Sequence, residues 1–199
     1  MPRQGLTRAA VLRRGAGGGL AAAIAASPLA LLVPNAAAAP PDGDLAYLRL
    51  LVGAELLAID FSSRAQATLP PRARADFKRI QQDEQRHLDS LSVQLQNAGQ
   101  APATAGDIDF SYPKKTFASA GAILRHATAI EALMVGAYIG ALASITTPEL
   151  RLPLAQIAVN EAQHASAVAH WRGGPVIGAA LAPALSMDAV STALDRYES

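Results

Sequence analysis

Four long stretches of the chain repeat apolar residues at helical spacing, and a glutamate interrupts each stripe. The first runs from about Asp44 to Thr68 on Leu45, Leu48, Val52, Leu56 and Ile59, with Glu55 on the same face. The second runs from about Arg72 to Ala98 on Phe77, Ile80, Leu88, Leu91 and Leu95, with Glu84 and His87 inside the stripe. The third runs from about Thr116 to Ser144 on Leu124, Ala127, Val135, Tyr138 and Leu142, interrupted by Glu131. The fourth carries Leu150, Leu154, Ile157, Val168 and Trp171, interrupted by Glu161 and His164. No stretch shows the two-residue alternation of a half-buried strand, so the fold class is all-α.

The breaks between stripes fit this division. "LPP" at Leu69 to Pro71 ends the first helix, because proline cannot continue one. Gly99 is a natural stop for the second. Thr116 is the expected cap of the third. Thr147 is the expected cap of the fourth, with Pro148 at its first position and Glu149 in its first turn. Gly173 and Gly174 end that helix, and "SMDAVSTALDRYES" predicts a short amphipathic fifth.

Helices two and four share a motif: "EQRH" at Glu84 to His87 and "EAQH" at Glu161 to His164 are the same Glu-x-x-His. Residues three apart lie on one helix face about one turn apart, so both side chains of each motif reach one point in the interior. The separations sharpen this. Glu55 and Glu84 are 29 residues apart and Glu131 and Glu161 are 30 apart, so their midpoints fall on the "LPP" and "TTP" turns. Residues equidistant from the turn of an antiparallel hairpin face each other. Four glutamates and two histidines therefore converge at mid-height in one bundle.

Four buried carboxylates repel one another, and an unpaired one costs several kcal/mol or takes up a proton. Two divalent cations bridged by carboxylates bring the charge close to zero. Carboxylate oxygen plus one imidazole per ion, without sulfur, suits iron or manganese. The predicted ligands are Glu55, Glu84, His87, Glu131, Glu161 and His164. Tyr138 shares the face of Glu131 and is either a hydrogen-bond partner of a ligand or a core residue. His126 and His170 lie off this geometry and read as surface or packing residues. From Gly99 to Lys115, seventeen residues without helical period join helices two and three. Extended, they are long enough to climb the bundle, which allows one long crossover; a simple up-down-up-down order fits the length as well.

Composition narrows the function. Of the 199 residues 51% are hydrophobic but only 5% aromatic, which suits close-packed helices. The net charge of +1 gives no case for nucleic-acid binding, which wants a basic face. With no cysteine in the sequence, disulfides, thiolate metal sites and a rubredoxin-type iron centre are excluded.

The first 39 residues differ from the rest. They hold Arg3, Arg8, Arg13 and Arg14 and no acid, followed by an uncharged Gly/Ala/Leu stretch ending in "NAAAAPP". This is the layout of an export signal with a small-residue cleavage site. "TRAAVLR" approximates the twin-arginine export motif with Ala9 in place of its second arginine, and ordinary Sec export also fits. An uncleaved anchor is the competing reading, weakened by the glycines and Pro28. Cleavage leaves 13 basic and 16 acidic side chains, a net charge of −3, on a domain of residues 40–199. The expected location is the periplasm, cell envelope or exterior, with membrane contact only through the signal.

With these residues in place, the chain resembles the ferritin-like superfamily, and within it the exported bacterial ferritin-like proteins that include desiccation-related proteins. The resemblance spans about Leu45 to Tyr197 and includes "DFSYP", "AIEALMVGAYIGAL", "NEAQHASAVAHW" and "ALDRY". It implies a ferritin-like four-helix bundle with one long crossover and a carboxylate-bridged di-iron or di-manganese centre at the six positions above. Two functions follow as expectations: oxidation of Fe(II) or consumption of dioxygen or hydrogen peroxide, or a non-catalytic, stress-protective bundle with a structural or vestigial site. A homo-oligomer is compatible with either.

Overall fold

A computed structural model describes residues 39–198. The export segment expected over residues 1–39 therefore lies outside the described residues, apart from Ala39. Four long helices form the body: α1 (Asp42–Ala65), α2 (Pro71–Asn97), α3 (Ala120–Ser144) and α4 (Pro148–Arg172). A short α5 (Met187–Leu194) and one 3-10 turn (Asp195–Tyr197) follow. Among the described residues the only β-type pairing is an isolated bridge between Phe110 and Glu198.

The helices pair as two antiparallel hairpins, α1 with α2 and α3 with α4, and the hairpins meet through α1 against α3 and α2 against α4. Side-chain contacts fix the directions. The Tyr47 and Ser144 hydroxyls, 3.1 Å apart, join the start of α1 to the end of α3. Trp171 at the end of α4 donates its indole N–H to Asp76 near the start of α2 at 2.8 Å. Arg49 near the start of α1 donates to Gln100 just past α2 at 3.1 Å. Thr68 in the first turn donates to the Phe117 carbonyl just before α3 at 3.1 Å. Residues 98–119 therefore run the length of the bundle, and α2 and α3 stand diagonally. This is the long crossover, and it excludes the up-down-up-down order.

The crossover covers the outer side of α1. Tyr112 packs against Phe61 (5.8 Å between ring centres), Phe117 (5.1 Å) and Tyr197 (5.8 Å). Its hydroxyl donates to Asp60 at 2.7 Å. With α2, α3, α5 and the crossover around it, α1 is buried along most of its circumference, which is why it is apolar nearly all round. α3 is long and apolar enough to cross a membrane by composition. In the bundle that apolar surface packs against α1, α4 and α5.

One boundary differs from expectation. The cap of α3 is Ser119, whose hydroxyl accepts the Ala122 N–H at 3.2 Å, and not Thr116. Thr116 instead donates its hydroxyl to the Pro113 carbonyl at 2.7 Å, closing a turn in which Lys115 has φ 69°. The turn continues through residue 117, and the non-helical Lys115 within it keeps the helix from starting at Thr116. Thr147 precedes α4 as expected, but its own side chain makes no cap bond. The cap comes from α1, where buried Asp44 accepts the Thr147 N–H at 2.8 Å and the Thr146 N–H at 3.1 Å. Gly99 and Gly173 take φ of 72° and 74° at the ends of α2 and α4, the conformation that favours glycine at a helix end.

Candidate metal centre

Each long helix brings one glutamate to the bundle axis. Glu55, Glu84 and Glu161 are 0% exposed and Glu131 is 4% exposed, so none is solvated. His87 and His164 are buried beside them, their rings stacked with centres 5.9 Å apart. All six residues predicted from the sequence thus meet in one place.

They form two overlapping groups, each able to hold a metal ion with ligand atoms within 4.8 Å of one another: Glu55, Glu84, His87 and Glu161, and Glu84, Glu131, Glu161 and His164. Glu84 and Glu161 belong to both. The arrangement has an approximate two-fold: each group has its own histidine from one Glu-x-x-His helix and its own glutamate from α1 or α3.

Both histidines turn Nδ1 inward. His87 Nδ1 lies 2.9 Å from Glu161 Oε1, 3.0 Å from Glu84 Oε2 and 3.6 Å from Glu55 Oε2. One N–H cannot serve three carboxylates. It lines up with Glu84, while Glu161 Oε1, although near, has no aligned donor. His164 Nδ1 lies 3.2 Å from Glu84 Oε1 and 3.6 Å from Glu161 Oε2, with neither aligned as a hydrogen bond. Glu55 Oε2, Glu84 Oε1, Glu131 Oε2 and both oxygens of Glu161 are buried without a hydrogen-bond partner. So many unsatisfied oxygens in one spot is the expected consequence of a cluster shaped for cations. The donor set is carboxylate and imidazole only, which fits iron or manganese.

These groups shift one another's protonation. Burial pushes the Glu55 carboxyl well above its ordinary range, and the Glu84 charge adds to this. Burial does the same to Glu131, with Glu84 and Glu161 adding to it. Burial alone would lower both histidines, but the carboxylates gathered around each Nδ1 override it. Glu161, Glu55 and Glu84 hold His87 at about 12, and Glu161 and Glu84 hold His164 at about 11. Glu84 is buried too, yet the two histidines pull it down to about 2.

Tyr138 combines both roles open from the sequence. It is fully buried in the core, and its hydroxyl donates to Glu55 Oε1. His126 and His170 lie away from the cluster: His126 Nε2 pairs with the Thr116 hydroxyl at 3.2 Å, and His170 packs edge-on against Trp171.

Two participants escaped the sequence reading. Asn160 Oδ1 lies 2.9 Å from His87 Nε2, and Asp83 Oδ2 lies 3.7 Å from His164 Nε2. Each stands immediately before the glutamate of one motif and faces the histidine of the other helix. The signal was there in "DEQRH" and "NEAQH": a polar residue precedes both Glu-x-x-His motifs. The same side of the bundle, between α2 and α4, carries two clefts that open toward the histidines. One of about 230 Å³ is lined by Asp76, Arg79, Asp83, Asn160 and His164 among others. The other, of about 220 Å³, is lined by His87, Ser90, Pro153, Gln156, Ile157 and Asn160.

The sequence matches the ferritin-like domain family over residues 42–173, from the first residue of α1 to the residue that caps α4. The chain belongs to this family, and its buried Glu/His cluster is one that could hold metal. A comparison with curated proteins returns no match.

Proposed function

We propose that this chain is an exported ferritin-like protein that holds two iron or manganese ions on Glu55, Glu84, His87, Glu131, Glu161 and His164, and uses them to oxidise Fe(II) or consume hydrogen peroxide or dioxygen. The observation that carries the reading is the sharing of Glu84 and Glu161 between two four-residue groups. Two positions with common carboxylates suit a bridged pair of ions rather than two separate sites. Bound as Fe(II), such a pair supplies two electrons, enough to take one hydrogen peroxide with two protons to two waters; as Mn(II) it supports peroxide disproportionation.

The chain's own residues prepare the place. Glu84 and Glu161 present both oxygens between the histidines. Glu55 and Glu131 close the two outer ends. Tyr138 fixes the Glu55 carboxyl, and Asn160 fixes the His87 ring with Nδ1 inward. The other buried residues of α1 and α3 are mostly Leu, Ile and Ala, which keep water out of the bundle interior. The α2/α4 clefts reach the His87 and His164 rings, the side from which a small oxidant would approach, which favours a working centre over a closed structural one. Export rests on the arginines and uncharged stretch of the first 39 residues.

Anaerobic Fe(II) titration followed by a peroxide or air pulse, read by absorbance, tests this proposal. Two irons per chain and rapid oxidation, both lost in Glu161→Ala, are expected. Tight binding without oxidation would make the centre structural, and no stoichiometric binding would end the proposal.

A further inference from the structure

The approximate two-fold of the cluster is broken in three places, all in the same sense. The residue facing His164 Nε2 is the carboxylate of Asp83, whereas the residue facing His87 Nε2 is the neutral amide of Asn160. Asp83 gives Oδ1 to Arg86, which leaves Oδ2 turned toward His164. No hydrogen bond satisfies His164 Nε2, so Asp83 is the acceptor available once Nδ1 is engaged. A carboxylate behind an imidazole makes it a stronger ligand than an amide does. Next, Glu55 already shares Oε1 with the Tyr138 hydroxyl, which draws electron density from that carboxyl. Oε2 of Glu55 and Oε2 of Glu131, its counterpart, are alike buried without a donor, so the Tyr138 bond is what sets the two outer carboxyls apart. Last, the cleft over His164 carries Asp76 and Asp83 against Arg79, whereas the cleft over His87 has no charged residue besides the histidine itself.

We propose that the two ion positions are unequal: a divalent cation entering between α2 and α4 is taken first by Glu84, Glu131, Glu161 and His164, with Asp83 as the positioning residue, and the position of Glu55 and His87 fills second. This rests on the two-ion reading above. The electronic difference comes from Asp83 and Asn160, and the order of filling follows from it.

The test uses protein expressed from the full-length chain, titrated anaerobically with Mn(II) by calorimetry and followed by electron paramagnetic resonance. Two resolved binding steps are expected, and the first equivalent should give the spectrum of an isolated Mn(II). His164→Ala should abolish the tighter step, and His87→Ala the weaker. Asp83→Asn should weaken the tighter step by about 10–100-fold. Asn160→Asp should tighten the weaker step, a gain that a fold defect would not produce. Two indistinguishable steps, a coupled-pair spectrum at the first equivalent, or an Asn160→Asp variant that gains nothing would overturn the order while leaving the two-ion reading in place. Fewer than two ions bound by the unaltered protein would overturn both.

Discussion

Tyr138 on α3 donates its hydroxyl hydrogen to Glu55 on α1, 83 residues earlier in the chain, and both side chains are fully buried. The bond ties the two hairpins together at the height of the cluster. In Tyr138→Phe, Glu55 Oε1 would be buried without a donor. The ion-free protein should lose about 1–3 kcal/mol, read by denaturant unfolding in the presence of a chelator. An unchanged unfolding free energy would show that the bond contributes nothing.

In the presence of a chelator, the protonation pattern of the cluster sets a pH dependence. Glu55, Glu131, His87 and His164 all hold protons more tightly when folded than when unfolded. A group raised in this way stabilises the fold below its unfolded value, and that stabilisation is lost as pH rises toward its folded value. For the carboxyls the loss begins near the ordinary 4.5, and for the histidines near 6.5, extending to about 12 for His87 and about 11 for His164. The chelated protein should therefore melt at lower temperature at pH 9 than at pH 6. Ion binding displaces these protons, so Mn(II) should reverse the trend and release protons on binding. A melting temperature of the chelated protein that stays flat or rises over this range would contradict the assignment.

Gly136 and Gly140 on α3 let the segment before α5 run directly against the helix. The Leu185 N–H donates to the Gly136 carbonyl at 2.9 Å, and a Cβ on Gly140 would overlap the Leu185 carbonyl oxygen. Backbone cannot yield as a side-chain tip can. Gly140→Ala should cost about 1–3 kcal/mol and make residues 173–186 the first site of limited proteolysis. Unaltered cleavage kinetics would show that the segment is held elsewhere.

Asp44 caps α4 from another helix. Burial alone would raise its carboxyl, but hydrogen bonds from Thr147 and Thr146 outweigh this and hold it below its ordinary value. Its contribution is thus present above the usual 3.8 and is lost as pH falls through its lowered folded value. Asp44→Ala should destabilise the protein by about 1.5–3 kcal/mol at neutral pH, and by much less in strong acid, in equilibrium unfolding. An equal loss at both pH values would point to packing instead.

The hairpins and the cluster were legible because they depend on local period and on distance from a turn. Glu55 and Glu84 are equidistant from "LPP", and Glu131 and Glu161 from "TTP", and those distances survive folding. Loop length alone left the choice between crossover and up-down-up-down order open, and only the family resemblance pointed to the crossover. The choice depends on contacts such as Thr68 with Phe117, which no local pattern encodes. The cap of α3 escaped for a similar reason. Thr116 and Ser119 are both accepted cap types, and the non-helical turn around Lys115 leaves the role to Ser119. Asp83 and Asn160 face the other helix's histidine across the α2/α4 interface, a pairing that no pattern within either helix encodes.

On the proposed reading, six side chains hold two ions between Glu84 and Glu161. Anomalous diffraction from crystals grown with Mn(II), collected at the manganese edge, would locate them. Two peaks are expected inside the bundle, one against His87 and Glu55 and one against His164 and Glu131, with both shared carboxylates between them. A single central peak, or manganese only at surface carboxylates, would contradict it.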